Sequence, residues 1–434
     1  MLDIKLIRQN PQKVQEGCEK KQVKINLGRL LWVDKKRRQT IQALEDMKSQ
    51  KNKTTSQIPK IEEEGEKEKL ILKMRELDKN SDRLNGNLKQ LQEEFNDLMR
   101  QIPNLPLENV PVGKNEKENV VLREIGEKPE FNFTPKDYLE ISEKLDLIDV
   151  KRAAKVSGSR FGYLKGGAAL IEFALINLAF ETLSKDYNPP TALPAEGGAP
   201  NFIPVIPPVM LKPELMEGMG YVERGREEIY YLKKDKLYLV GTSEQSIGAM
   251  HADEIFEEKV LPKRYLGFST CFRREAGAYG RDTKGILRVH QFDKAEMFSF
   301  CRPEKSQEEH QFFLKMEEKL MKALKIPYRV VQICSGDLGD PAAAKYDIEA
   351  WLPGQNQYRE THSTSNCTDY QARRLNIRYR DSKTEKPEFV HTVNGTAYAI
   401  GRTLIAIIEN YQQKDGSIKV PNVLQKYTRF KKIG

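Results

Sequence analysis

Between Cys271 and Glu296 the chain reads CFRREAGAYGRDTKGILRVHQFDKAE, a run whose residue types and spacing could do chemistry. An apolar approach over 265–272, a turn-rich tip with Gly277, Gly280, Asp282 and Gly285, and a returning run from Ile286 predict a two-strand hairpin. Side chains alternate faces along a strand. Arg273 and Glu275 therefore share one face of the first strand, and Arg288, His290, Phe292, Lys294 and Glu296 share one face of the second. The other face, with Leu287, Val289, Ala295 and Met297, is apolar. A merely solvated hairpin does not set a phenylalanine between an arginine and a glutamate above an apolar underside. The pattern points to a polar site built on a sheet.

Three further stretches carry compatible groups. In GTSEQ, Thr242 and Glu244 stand two apart at a strand end. In YRETHSTSNCTDY, Glu360, Ser363 and Asn366 gather oxygen and amide groups before a helix, and in VNGTAYAIGRTLIAIIEN, Asn394, Thr396 and Arg402 lie where a strand passes into an apolar helix. Taken singly, each is explained by helix capping or a surface ion pair. Together they suggest a nucleotide site: Arg273 and Arg402 can clamp phosphate oxygens, Phe292 can stack on a base, and Glu360 with Ser363 can hold Mg²⁺ through oxygen ligands. The GxxxxGK[ST] loop, a GxGxxG after a strand, and kinase-like HRD and DFG are all missing.

The elements that must position these residues follow from pattern. Residues 28–102 are poor in Gly and Pro and rich in charge. Leu70, Met74, Leu77, Ser81, Leu84, Leu88, Leu91, Phe95, Leu98 and Ile102 alternate spacings of four and three, with nine apolar residues in ten seam positions. A weaker stripe (Ile41, Leu44, Thr55, Ile58, Ile61) precedes it, and Gly65 with Glu62–Glu64 offers a turn. The expectation is an antiparallel two-helix coiled-coil arm, roughly 50 Å long at about 1.5 Å per residue. Residues 35–60 hold eight Lys or Arg against two Asp or Glu; the bland account is a solvated face, the sharper one a helix lying along a phosphate backbone. Three prolines in IPNLPLENVPVG (102–113) mark a boundary, giving a helical piece over 1–112 and a second domain over 113–434.

Beyond it, 139–147 reads as helix, 156–167 as a Gly-rich loop, and Ala168–Leu183 as a helix apolar on nearly every face, suited to a core or a subunit interface. A Pro/Gly-rich loop at 188–200 leads to an extended run, 202–211, whose prolines suit a sheet edge. Short strands follow at 229–232, 236–242, 328–334, 347–352, 357–363 and 390–394, with helices at 243–253, 304–324, 368–379 and 401–412. Hairpin-like neighbours outnumber βαβ units, which predicts an α+β fold on a mainly antiparallel sheet.

The composition of the 434 residues, 38% hydrophobic and 31% charged, describes a globular protein, and a net charge of +9 permits a polyanionic partner without requiring one. Five scattered cysteines with no CxxC argue against a disulfide framework and against zinc. The longest apolar run falls short of a membrane span and the N-terminus is charged from its third residue, so a cytoplasmic protein without a membrane partner is expected.

The ordered set GTSE, FRREAG…GILRVHQFDKAE, RETHSTSNCTDYQARR and NGTAYAIGRTLIAIIEN, together with the MLDIKLIRQNP opening and the helical arm, resembles the class II aminoacyl-tRNA synthetases, and among them the bacterial-type seryl-tRNA synthetases, over the whole length. Class I HIGH-like and KMSKS-like signatures are absent. The resemblance implies a homodimeric enzyme that uses ATP and Mg²⁺ to make seryl-adenylate from serine and then esterifies tRNA-Ser, with tRNA-Sec left open, and whose arm grips the tRNA. Residue by residue, it implies that Pro208 is the motif 1 proline of the dimer interface and that Arg273 and Glu275 are the motif 2 contacts to the α-phosphate and the adenine end. Arg288 would meet the triphosphate, Phe292 the adenine and Arg402 the γ-phosphate, while Glu360 and Ser363 would bind metal. Thr242, Glu244, Arg273, Glu296, Asn394 and Thr396 would form the serine site, with His290 and Lys294 in support. Two departures stand out: the 188–200 loop is longer than usual before motif 1, and His362 occupies the place of a smaller residue. The other readings are a catalytically silent relative that binds nucleotide or tRNA, a coiled-coil scaffold, and a relative that acylates a carrier protein.

Overall fold

A computed structural model describes residues 1–185, 201–276 and 284–434, so the hairpin tip at Gly277, Gly280 and Asp282 and the 188–200 loop lie outside the described residues. The chain divides into two compact units, one of residues 2–19 and 23–103, the other of Met1, Lys20–Gln22 and Asn104–Gly434.

The smaller unit is helical, dominated by α1 (Leu27–Gln57) and α2 (Glu64–Arg100). Arg29 meets Glu94, Arg37 meets Gln92 and Lys51 meets Asp78. One partner number rises as the other falls, the signature of antiparallel helices. Each heptad position from Leu70 to Leu98 is at least half-buried, and Phe95 and Met99 are fully buried. The turn differs from expectation. Gly65 is helical, and the reversal is made by a 3₁₀ turn at Ile58–Lys60 and residues 61–63. Glu63 takes the cap position and Glu64 and Glu66 fill the first turn, where carboxylates complement the helix dipole, so the acidic run starts the helix.

The larger unit is built on an eight-stranded sheet: β1 (Val120–Ile125), β2 (Ile203–Val205), β3 (Lys263–Phe272), β4 (Gln291–Cys301), β5 (Tyr328–Gln332), β6 (Ala344–Leu352), β7 (Gln357–Thr368) and β8 (His391–Ala399), in the order β1-β5-β6-β7-β8-β4-β3-β2. Every pairing in this sheet is antiparallel except β2 with β3, and β2, carrying Pro204, is one of its two edges. Four helices concern the site: α3 (Gly167–Leu183), α4 (Ser243–Ala249), α5 (Ser306–Leu324) and α6 (Ile400–Asn410). A core behind the sheet gathers Phe313, Leu320, Ala295, Met297, Val393 and Ile405, and a second packs Ile247, Phe298, Phe300 and Tyr238 on the α4 side. With packing on both faces, β4 is buried at every position from Lys294 to Cys301, polar residues included. A helix at Val150–Ser157 occupies the start of the expected Gly-rich loop.

Candidate active site

The return strand begins at Gln291, five residues beyond the expected Ile286. Two backbone donors of this stretch bond elsewhere, Ile286 N to Tyr138 Oη and His290 N to Arg160 O, while the His290 carbonyl accepts from Arg273 N across the hairpin. The apolar members, Ile286 and Val289, sink into the core. Arg288 and His290 thus stand on a loop, and Arg273 and Glu275 lie past the end of β3, with Glu275 at φ +50°. Strand alternation holds for Phe292, Lys294 and Glu296 alone.

The fold nonetheless brings these groups together. One cleft of about 330 Å³ is lined by Arg273, Glu275, Arg288, Phe292 and Glu296 from the hairpin, and by Thr242 and Glu244 at the start of α4. Glu360 and Ser363 of β7, Asn394 and Thr396 of β8, and Arg402 in the first turn of α6 complete the sequence-derived set. Asn366 turns inward and is fully buried; its Oδ1 accepts from Thr368 N.

At one end the charges are positive. Arg273 Nε donates to Gly241 O at 3.2 Å, and its guanidinium lies 5.3 Å from the centre of the Phe292 ring. Arg288 meets Glu275 at 3.4 Å, and Arg160 Nη1 donates to Glu275 O at 2.9 Å, pinning the residue with the positive φ. His290 Nδ1 sits 3.1 Å from Arg273 O, a supporting position. Arg402 pairs with Glu360 at 3.2 Å. Desolvation pushes the Glu360 carboxyl up, but Arg402, Lys345 and Arg273 override it and hold it at about 2.

At the other end carboxyls are buried. Glu296 is 1% exposed and Lys294, which also lines the cleft, stands 2.6 Å from it. Burial, reinforced by Glu244, pushes Glu296 up to about 7 against the pull of Lys294. Tyr221 Oη donates to Glu244, and burial and that carboxylate push the phenol well up. Thr242 Oγ1 is buried without a hydrogen-bond partner among the described residues. A bulge in β8 opposite Ala295–Glu296 matters here. It leaves Asn394 and Thr396 on the cleft face and sends Tyr398 to the other, where its hydroxyl donates to Leu320 O.

Sequence reasoning passed over Tyr221, Lys345, Asp347 and Cys367. Asp347 lies opposite Ser363 in the β6·β7 register, accepts its hydroxyl, and pairs with Lys345 at 3.2 Å; burial lifts its carboxyl to about 7. The K-x-D alternation of Lys345 and Asp347 on a strand was the available signal. His362 is a core histidine: it is 1% exposed, bonded to Thr361 Oγ1 at 2.9 Å, packed on Tyr398, and driven down to about 4 by burial. Among the described residues no group of three His, Cys, Asp or Glu could hold a metal ion, and no helix is long and apolar enough to cross a membrane.

The profile of the Seryl-tRNA synthetase N-terminal domain matches residues 1–106, and that of the tRNA synthetase class II core domain (G, H, P, S and T) matches residues 230–411. A serine–tRNA ligase of Dictyoglomus turgidum is 46% identical over 100% of this chain and 99% of its own. The seryl-tRNA synthetase of Pyrococcus horikoshii, solved with ATP, superimposes with a TM-score of 0.90 at 41% identity, covering 100% of this chain and 99% of that one. The cytoplasmic serine–tRNA ligase of Naegleria fowleri, solved with AMP, gives 0.85 at 35% identity over 100% and 98%. With an antiparallel class II sheet, an antiparallel helical arm and relatives of this identity along its full length, the chain belongs to the seryl-tRNA synthetase family of class II aminoacyl-tRNA synthetases.

Proposed function

We propose that this cleft binds ATP and serine, joins them as seryl-adenylate, and passes serine to the 3′ end of tRNA-Ser. The observation that carries the reading is the convergence, on one cleft of about 330 Å³, of arginines at one end and buried carboxylates at the other. Serine's carboxylate is ionised at neutral pH, so its oxygen attacks the α-phosphorus without a general base while the bond to the β-phosphate breaks and pyrophosphate leaves. Positioning and charge neutralisation carry that step. In our reading Arg273 and Arg288 meet the α-phosphate and triphosphate, Arg402 the γ-phosphate, and Phe292 and Glu275 the adenine. The ATP of the Pyrococcus structure and the AMP of the Naegleria structure support the reading that the cleft takes a nucleotide.

Glu360 and Ser363 suit Mg²⁺: the carboxyl lines the cleft and stays ionised, and the Ser363 hydroxyl lines the same cleft. Bound there, Mg²⁺ would supply charge neutralisation to the phosphates. Glu296 and Glu244 take the ammonium of serine, and Thr242, Asn394 and Thr396 its hydroxyl. The unpartnered Thr242 Oγ1 favours this, because a buried polar group left unpaired by alanine penalises the wrong substrate.

In the second step the terminal ribose hydroxyl attacks the seryl carbonyl and AMP leaves. Residues 1–112, with their basic helix, are the proposed tRNA grip and 113–434 the catalytic domain; the basic helix favours tRNA over an acidic carrier. A homodimer is proposed through α3, a mostly apolar helix on which Leu170 and Phe173 are left 49% and 62% exposed. The enzyme is placed in the cytoplasm, where tRNA is charged.

Serine-dependent ATP–pyrophosphate exchange tests the reading, with threonine, alanine and cysteine as competitors. Exchange with serine is expected. Its absence in a chain that still binds nucleotide would favour the silent relative, and charging of tRNA-Ser and tRNA-Sec transcripts settles the tRNA range.

A further inference from the structure

The chain passes out of its helical unit at Lys20–Gln22 and again at Asn104, residues that belong to the larger unit. Each passage places one buried polar side chain on the same short segment. Lys21, 5% exposed, donates from Nζ to Gly339 O at 2.7 Å, Asp340 O at 3.2 Å and Ala342 O at 2.8 Å. Asn104, 3% exposed, donates from its backbone to Asp340 O at 2.9 Å. Its Nδ2 reaches Pro341 O at 2.9 Å and Cys367 O at 2.8 Å. Four consecutive carbonyls, 339 to 342, are thus held by two residues. An ammonium offers three donors and here finds three carbonyls, which buried and unmet would be costly.

The held segment walls the cleft. Gly339, Pro341 and Ala342 line it, as does Cys367. These sit at the amino-acid end: Cys367 Sγ accepts from Asn394 Nδ2 at 3.6 Å, and Pro341 packs near Gly220, the neighbour of Tyr221. Burial and Glu244 push the Cys367 thiol up, and the charge of Lys21 opposes them.

We propose that Lys21 and Asn104 are positioning residues for the amino-acid end of the cleft, fixing Gly339–Ala342 as the wall against which serine is held. The inference rests on the serine reading above.

The test compares full-length Lys21→Met, which keeps the apolar stem and removes the ammonium, and Asn104→Ser, which keeps the backbone donor, with the parent chain in the exchange assay. The KM for serine is expected to rise on the order of tenfold while the KM for ATP stays within about twofold, since a lost charge-assisted hydrogen bond is felt where the wall stands. A general loss of folding would lower the active fraction and leave both KM values in place. Either an unchanged serine KM or an equal rise in both overturns the proposal. In the unaltered chain, serine is expected to slow amide hydrogen exchange across 339–343 more than ATP does; equal or absent protection overturns it without any substitution. Absence of serine-dependent exchange in the parent would instead overturn the serine reading, a result that involves neither variant.

Discussion

Glu296 is the residue whose titration reports most directly on the site. Burial lifts its carboxyl to about 7, and the charge of Lys294 pulls the other way. The ammonium of serine needs the ionised form, so the KM for serine is expected to rise as pH falls through about 7. Lys294→Met, by removing the lowering influence, should move that rise to higher pH. Exchange kinetics at varied serine from about pH 6 to about pH 9 would show both. The sign for stability is opposite to that of an ordinary paired carboxylate. The folded pKa lies above an unfolded value of about 4.3, so the contribution is full below that value and is lost as pH rises through about 7. Arg402→Ala should lower kcat/KM for exchange by roughly 10²–10³-fold, the scale of a lost preorganised charge contact. It should also raise the Glu360 carboxyl, which Arg402 helps to hold at about 2. At this scale the sequence was informative, because side-chain chemistry is written in it: arginines, carboxylates, a ring and hydroxyls. It offered only a K-x-D alternation for Lys345 and Asp347, and the place of Asp347 opposite Ser363 depends on strand register.

Between elements, close packing decides. A Cβ on Gly395 of β8 would stand 3.1 Å from Glu317 Oε1, Phe313 Cδ2 and Thr364 Oγ1, so α5 rests directly on the strand that carries Asn394 and Thr396. Gly395→Ala is expected to cost roughly 1–3 kcal/mol of stability by overpacking, read from the midpoint of urea unfolding at unchanged slope. An unchanged midpoint would mean that the helix gives way freely. The seam of α2 was readable because a heptad is a local repeat and needs no partner to be seen. The hairpin was readable in place but not in register. Ile286 to His290 alternate like a strand, yet Tyr138 and Arg160 take their backbone groups, and the bulge in β8 reverses the face of Tyr398. Period-2 pattern cannot reveal either event, since both depend on hydrogen bonds to distant chain.

For the molecule as a whole, the proposed division of labour predicts that replacing about residues 30–100 with a short turn leaves serine-dependent exchange near the parent value and abolishes tRNA-Ser charging. Loss of both together would favour a scaffold role for the helices. Phe173→Glu, on the exposed face of α3, should shift sedimentation from dimer to monomer if that helix is the interface. By itself the sequence determined the inventory of reactive groups, the antiparallel character of the sheet, the coiled-coil seam and the family. Tertiary structure alone decided that residues from the hairpin and from α4, β7, β8 and α6 face one cleft. It alone decided that Glu296 is buried enough to titrate near neutrality, and that Lys21 meets Gly339 across 318 positions of chain. The physical reason is the range of the forces involved. Periodicity and turn chemistry act over a few residues and are printed locally, whereas desolvation and carbonyl clamping depend on which distant segments the collapsed core brings within about 3 Å.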